Sequence, residues 1–161
     1  MPYGYISVGS NIDKRKHILA SLLALRQHFG QLAVSSIYES AAVGFSGASF
    51  YNCVVGFHSE LGVKDVAKQL RQIEVDNGRT RSCTKFSART LDLDLILYGD
   101  LVISDGRLQI PRDEIERYAF VLEPLAEIAP TLKHPVSHIS YAELWEKFDK
   151  LQAQQQRIQL D

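Results

Sequence analysis

The stretch Leu91-Asp92-Leu93-Asp94-Leu95-Ile96-Leu97-Tyr98 narrows the fold more than any other part of this sequence. An apolar residue at every second place makes one apolar face when the backbone is a β-strand. The alternation puts Leu91, Leu93, Leu95 and Leu97 on a face packed against helices, and Asp92 with Asp94 on the other. Upstream, the apolar period switches repeatedly between the strand and helix values. Tyr5-Ile6-Ser7-Val8 reads as a strand ended by Gly9-Ser10-Asn11. Asp13 to Phe29 reads as a helix with Ile18, Leu22, Leu25 and Phe29 on one stripe and Gly30 closing it. Val34–Tyr38 and Tyr51–Phe57 read as strands around a loop of small residues, 40–49. Val63 to Val75 reads as a second helix with Val63, Val66, Leu70 and Ile73 inward. The order β-α-β-β-α-β predicts an α+β fold of the ferredoxin-like kind, an antiparallel sheet with two helices on one face.

Beyond Tyr98 the expected elements are shorter. Leu108 to Ile110 is an edge-strand candidate, Pro111 suits the first turn of a short helix, and Phe120–Ile128 reads as helical around Leu122 and Leu125. Ser140 and Glu143 form a capping box for a last helix burying Leu144, Trp145 and Phe148. The polar stretch Gln152-Ala153-Gln154-Gln155-Gln156 is expected to fray. With 161 residues and neither repeat nor linker, the chain reads as one domain, 1–161, with a polar tail from about 152.

A net charge of −1 leaves no global field for nucleic acid or an anionic membrane, so any bound anion needs a local basic cluster. No apolar run approaches the roughly 20 residues of a membrane span, and the first residues lack the pattern of an export signal. Cys53 and Cys83 are too few and too far apart for a disulfide framework or a zinc site, and Cys53 reads as a core residue. These features together point to the cytoplasm. The five histidines show no metal-ligand spacing; His17 and His28 read as surface positions on the first helix, His134 and His138 as structural loop residues.

Asp92 and Asp94 lie roughly 6.5–7 Å apart on one strand face, where like charges repel. A divalent cation relieves that repulsion, and oxygen ligands suit magnesium, which adds phosphate oxygens and water to one or two carboxylates. A bare D-x-D is also compatible with a plain solvent-facing sheet surface. Between Asn77 and Leu91, however, stand Arg79, Arg81, Lys85 and Arg89 and no acid. Cations beside metal-binding carboxylates are what a triphosphate requires, and phosphoryl transfer by positioning and charge neutralisation needs no protein nucleophile. The alternative is a solvated loop salt-bridged to the two aspartates. No Walker loop, kinase glycine loop or dinucleotide fingerprint is present. Asn52, among Phe50, Tyr51, Cys53 and Val54, is a polar group whose burial calls for a partner, and a ligand supplies one.

Arg89-Thr90-Leu91-Asp92-Leu93-Asp94, with Gly78-Arg79 ahead of it, resembles the signature of the 6-hydroxymethyl-7,8-dihydropterin pyrophosphokinases. The likeness extends through Val8-Gly9-Ser10-Asn11, Tyr38, Gly44, Phe50-Tyr51-Asn52, Ile73-Glu74, Phe120-Val121-Leu122 and Glu127-Ile128-Ala129-Pro130, over about residues 4–150. The resemblance implies a ferredoxin-like enzyme of folate biosynthesis that moves pyrophosphate from ATP to the pterin hydroxymethyl group and releases AMP. It implies two magnesium ions on Asp92 and Asp94, and a catalytic set of Arg81, Arg89, Asp92 and Asp94. Glu74, Arg81, Lys85, Arg89, Leu95, Arg107 and Arg112 would surround ATP, with Arg81 and Lys85 on a closing loop. Ser40, Val43, Phe50, Asn52, Phe86 and Phe120 would surround the pterin, Phe50 and Phe120 as aromatic walls; core packing is the alternative for those two. The partners are then small molecules only, and the expected state is a monomer.

The sequence departs from the family pattern at several places. Pro111-Arg112 stands where Pro-His is usual, Tyr118 where an arginine is usual with Arg117 one place early, Phe86 for tryptophan, and Ala88 for proline. Ala41 and Ala42 replace prolines and the loop through Ser46–Ser49 is short. Two further readings follow: a relative acting on another pterin, or a pterin- or nucleotide-binding protein without turnover. An RNA-binding sheet surface is disfavoured, because Asp92 and Asp94 repel a phosphate backbone.

Overall fold

The computed structural model describes residues 3–41, 49–78, 91–152 and 154–160. Its main sheet is built from β1 (Tyr3–Ser10), β2 (Leu32–Val34), β3 (Ile37–Ser40), β4 (Phe50–His58), β5 (Asp92–Tyr98) and β8 (Gln155–Ile158). The strands run β5-β1-β4-β3-β8, with β2 also beside β4, and every pairing is antiparallel. Helices α1 (Lys14–Phe29) and α2 (Val63–Asp76) connect β1 to β2 and β4 to β5. This arrangement is compatible with the ferredoxin-like order expected.

The alternation of each strand divides the sheet's residues between two cores. Ile6 and Val8, Cys53 and Val55, Leu91 and Leu93 face α1 and α2, meeting Ile18, Leu25, Val66, Leu70 and Ile73. On the opposite face Val54, Ile96 and Leu97 meet α3 (Glu114–Arg117), α4 (Ala119–Ile128) and α5 (Tyr141–Lys147) through Ile115, Val121, Leu122 and Tyr141. Burying one such aliphatic side chain contributes about 1.5–3 kcal/mol, so each core is a major source of stability. Gly30 adopts a φ of 79° and donates its N–H to Arg26 O, closing α1 as a C-terminal glycine does. Cys53 is fully buried, which pushes its thiol pKa up to about 12 and makes it a packing residue.

The structure corrects several expectations. The second strand is split at Ser35-Ser36 into β2 and β3, because the Ser36 N–H and hydroxyl turn aside to Glu127 Oε2 at 3.0 and 2.9 Å. Leu97 is on the far face from Leu91, Leu93 and Leu95. Tyr5 pairs Leu97 while Ile6 pairs Leu95, so Ile96 is an extra residue that breaks the alternation. Leu108–Ile110 (β7) joins a separate hairpin with β6 (Ile103–Asp105) rather than the main sheet. Pro111 follows a cis peptide bond, and the short helix begins at Glu114. The Ser140 cap is present, its hydroxyl accepting the Glu143 N–H at 3.3 Å, but Tyr141 is the fully buried residue of α5 and Leu144, Trp145 and Phe148 are half-buried. His17 is buried with Nδ1 2.7 Å from Ile12 O. His134 is structural as expected, its Nδ1 accepting the N–H groups of Val136 and Ser137.

The largest correction concerns the polar tail. Residues 155–158 do not fray; they form β8 and extend the sheet beyond β3, with Ser40 opposite Gln155 and Tyr38 opposite Arg157. Ile158 and Leu160 alternate toward the core under α1 and α2, the apolar signal that the run of glutamines obscures.

Candidate active site at the end of the sheet

Asp92, Gly9, Asn52, Tyr38 and Arg157 are successive register partners and so form one row across five strands. Members of one row point to the same face. Asp92 and Asn52 therefore share the face of the second core, about 10 Å apart across two strand spacings. Asp94, two residues along β5, is the partner of Ser7 and shares that face. Gly9 lies between Asp92 and Asn52 and leaves the floor open; a Cβ there would stand 3.0 Å from Asn52 Oδ1.

Both aspartates are half-buried. Burial and the negative charge of Asp92 raise the Asp94 pKa to about 7, against the opposing pull of Arg112 and Arg71. The apparatus that holds this charge in place begins with Glu74. It is 1% exposed, accepts the Leu93 N–H at 2.7 Å through Oε2, and pairs with Arg71 Nη1 at 2.6 Å through Oε1. Because β5 is the edge of the sheet, Leu93 directs its N–H away from β1, and the Glu74 carboxylate satisfies it from α2.

The Ile96 bulge serves the same end of the site. Ile96 O accepts the Arg112 backbone N–H at 3.1 Å, fastening the residues after β7 to β5. The Arg112 guanidinium pairs with Glu114 at 2.7 Å and faces the aspartates. A cleft of about 140 Å³ runs along the outer edge of β5, lined by Arg71, Leu93, Asp94, Leu95, Arg107 and Arg112 among others. Three expected nucleotide-site residues, Leu95, Arg107 and Arg112, thus meet in one cleft with Asp94, expected as a metal ligand. Glu74 supports it from inside rather than lining it. Arg117 is engaged elsewhere, 3.2 Å from Asp113 and over the Tyr118 ring. Arg71 escaped the sequence reading; its signal is a place one helical turn before Glu74 on α2.

On the other side of Gly9, Asn52 Nδ2 donates to Ser40 Oγ at 2.7 Å, and both residues are buried. Asn52 therefore finds a partner within the protein. Phe50 is half-exposed two residues away on the same face, and Phe120 is half-exposed at the start of α4, stacked on Tyr118 at 5.0 Å. Val43, Arg81, Lys85, Phe86 and Arg89 lie outside the described residues. Among the described residues no cluster of three or more His, Cys, Asp or Glu could enclose a metal, so a cation at Asp92 and Asp94 would share its coordination with a ligand and water.

The family model described as 7,8-dihydro-6-hydroxymethylpterin-pyrophosphokinase (HPPK) matches residues 5–130, from β1 through α4. The chain belongs to this family. The 2-amino-4-hydroxy-6-hydroxymethyldihydropteridine pyrophosphokinase of Pseudomonas aeruginosa is 36% identical over 135 residues, covering 81% of this chain and 83% of the relative. The folic acid synthesis protein FOL1 of Dictyostelium discoideum is 36% identical over 138 residues, covering 84% of this chain but only 21% of that protein. A crystal structure of Plasmodium falciparum HPPK-DHPS superposes with a TM-score of 0.72 at 12% identity, covering 96% of this chain and 45% of that one. At that identity the superposition shows a shared HPPK fold alone. The chain thus spans most of the Pseudomonas aeruginosa relative, about a fifth of the folic acid synthesis protein and under half of the solved chain.

Proposed function

We propose that this chain transfers the pyrophosphoryl group of ATP to the hydroxymethyl oxygen of 6-hydroxymethyl-7,8-dihydropterin, a step of folate biosynthesis. The hydroxymethyl oxygen forms a bond to the β-phosphorus as the bond to the α,β-bridging oxygen breaks; AMP leaves with that electron pair and the hydroxyl proton passes to solvent. The observation that carries this reading is the placement of Asp92 and Asp94 on one strand face, between a cleft lined by Arg107 and Arg112 and the hydrogen-bonded pair of Asn52 and Ser40.

The residues fit magnesium: two hard carboxylates sit together, and burial with the charge of Asp92 raises the Asp94 pKa to about 7, a repulsion that a cation would relieve. Magnesium, when bound with ATP, would neutralise the triphosphate and make the attacking hydroxyl more acidic. We assign Asp92 and Asp94 to two such ions. Arg112, with Arg81, Lys85 and Arg89, binds phosphates; Leu95 and Arg107 lie against the nucleoside. Asn52 and Ser40 orient the pterin edge, and Phe50, Phe120, Val43 and Phe86 enclose it. Arg112, a permanent cation, stands where a histidine is usual and meets the triphosphate in place of Arg117. We read residues 1–161 as one such domain, acting as a monomer in the cytoplasm; among the described residues no helix is long and apolar enough to cross a membrane.

Incubating the protein with ATP, magnesium and 6-hydroxymethyl-7,8-dihydropterin should give AMP and pterin pyrophosphate in equal amounts. ADP as the product would contradict the transferred group, and pterin binding without AMP would return the non-catalytic reading. Gly9→Ala brings a methyl to within 3.0 Å of Asn52 Oδ1 and displaces that carboxamide. The KM for the pterin should rise about tenfold, as small misplacements of a positioning group do. The KM for ATP should change less than about twofold, since Gly9 does not line the nucleotide cleft. Steady-state kinetics in each substrate separates the two.

A further inference from the structure

The family match ends at residue 130, and β8 lies beyond it. This strand nevertheless touches both sides of the pterin pocket assigned above. Its backbone pairs with β3, so that Gln155 stands opposite Ser40. Its side chains reach across to α4. Gln155 Nε2 donates to Ala119 O at 3.1 Å and to Glu123 Oε1 at 2.8 Å. Arg157 Nε donates to Tyr38 Oη at 3.1 Å, and that phenol donates to Glu127 Oε1 at 2.6 Å.

The spacing of these bonds is matched. Gln155 and Arg157 are two strand residues, about 6.6 Å apart, on one face of β8. Glu123 and Glu127 are four helical residues, about 6 Å apart along α4. Gln155 bonds Glu123 directly and Arg157 reaches Glu127 through Tyr38, so β8 and α4 are joined at two points one helical turn apart. At the first of them Gln155 also bonds the carbonyl of Ala119, the residue before Phe120. The first turn of α4, which presents Phe120, is held at the level of Ser40 and Asn52 by one side chain.

We propose that β8 is a strap that sets the separation between the Phe120 wall and the Ser40–Asn52 edge of the pterin pocket, with Gln155 as its positioning residue. The inference rests on the pterin site proposed above. A strap of this kind acts on pterin binding and leaves the nucleotide cleft, on the far side of β1, unaltered.

The test is a fluorescence titration of 6-hydroxymethylpterin in the presence of magnesium and a non-hydrolysable ATP analogue, with steady-state kinetics alongside. Gln155→Glu keeps the shape but removes the donor and faces Glu123 with a like charge. It should weaken pterin binding about tenfold and raise the pterin KM in parallel, with kcat and the ATP KM within about twofold. Gln155→Lys restores a donor and should bind within about threefold of the parent. Glu123→Ala removes the bond from the helix side and should reproduce the loss if Gln155→Glu does not fold. Phe120→Ala tests the site itself and should also weaken binding at least tenfold. Unchanged pterin binding in Gln155→Glu or Glu123→Ala, while Phe120→Ala is weakened, would overturn the strap and leave the site standing. Unchanged binding in Phe120→Ala would overturn the site and the strap with it. A parallel fall in kcat and rise in both KM values would also overturn the proposal, since it marks general loosening of the fold.

Discussion

Asp94→Asn is expected to lower kcat by about 10³-fold or more while making the metal-free protein more stable at pH 8. The first effect follows from the role proposed for the pair: transfer would depend on neutralising charge at the triphosphate, and losing one anionic ligand of a divalent ion would remove part of that neutralisation. The second follows from the pKa. Asp94 is raised to about 7 by burial and by Asp92, well above the ordinary 3.9 of the unfolded chain. The folded state therefore holds the proton more tightly, and that stabilising contribution is present below about pH 4 and is lost as the pH rises toward 7. Above pH 7 the ionised carboxylate is at its full disadvantage, and asparagine removes it. Because Asp94 keeps part of its surface in water, a gain of about 2 kcal/mol at pH 8 is expected, falling to nothing near pH 4. Thermal denaturation of parent and variant at the two pH values measures it. A variant with equal stability at both, or with near-parent turnover, would contradict the assignment.

Glu74→Leu should cost about 3 kcal/mol, which for a domain of this size lowers the Tm by roughly 6–12 °C. Leucine fills the space but leaves the Leu93 N–H, otherwise bonded at 2.7 Å, buried at the edge of β5 without an acceptor. Leu93 separates the two aspartates proposed to hold metal, so kcat should fall further than the lost stability alone explains, by about tenfold at a temperature where both proteins are folded. Glu74→Gln separates the causes. Its carbonyl oxygen can still accept from Leu93, while the charge that pairs with Arg71, whose side chain is 56% exposed, is lost. That loss is about 1 kcal/mol or less. Equal losses in the leucine and glutamine variants would show that the Arg71 pair, and not the bond to β5, is what matters.

The parts of the fold legible in the sequence are those where one period holds over a whole element. Leu70 and Ile73 on α2, and Leu91 to Leu95 leading into β5, are of this kind. Bulges and shared strands were not legible, because their cause is remote. Ile96 breaks the alternation to offer its carbonyl to Arg112, a residue beyond a hairpin, and the run of leucines gives no local sign of it. The Ser35-Ser36 break depends on Glu127, 91 residues away from Ser36. β8 was hidden because its glutamines look like a solvated tail; its stability comes from β3 and α4. In the site, Asp92 and Asp94 announced themselves as charges placed against strand propensity. Arg71 did not, since a cation on an exposed helical turn is ordinary, and only the fold brings it beside Asp94. Asn52 was found as a buried polar residue, but its bond to Ser40 depends on the register between β3 and β4.

The most direct measurement is anomalous scattering from manganese in crystals grown with a non-hydrolysable ATP analogue and 6-hydroxymethylpterin. Two manganese peaks within about 2.2 Å of carboxylate oxygens of Asp92 and Asp94, each also contacting a phosphate oxygen, are the expected result. Nucleotide density with no metal at either aspartate would contradict it.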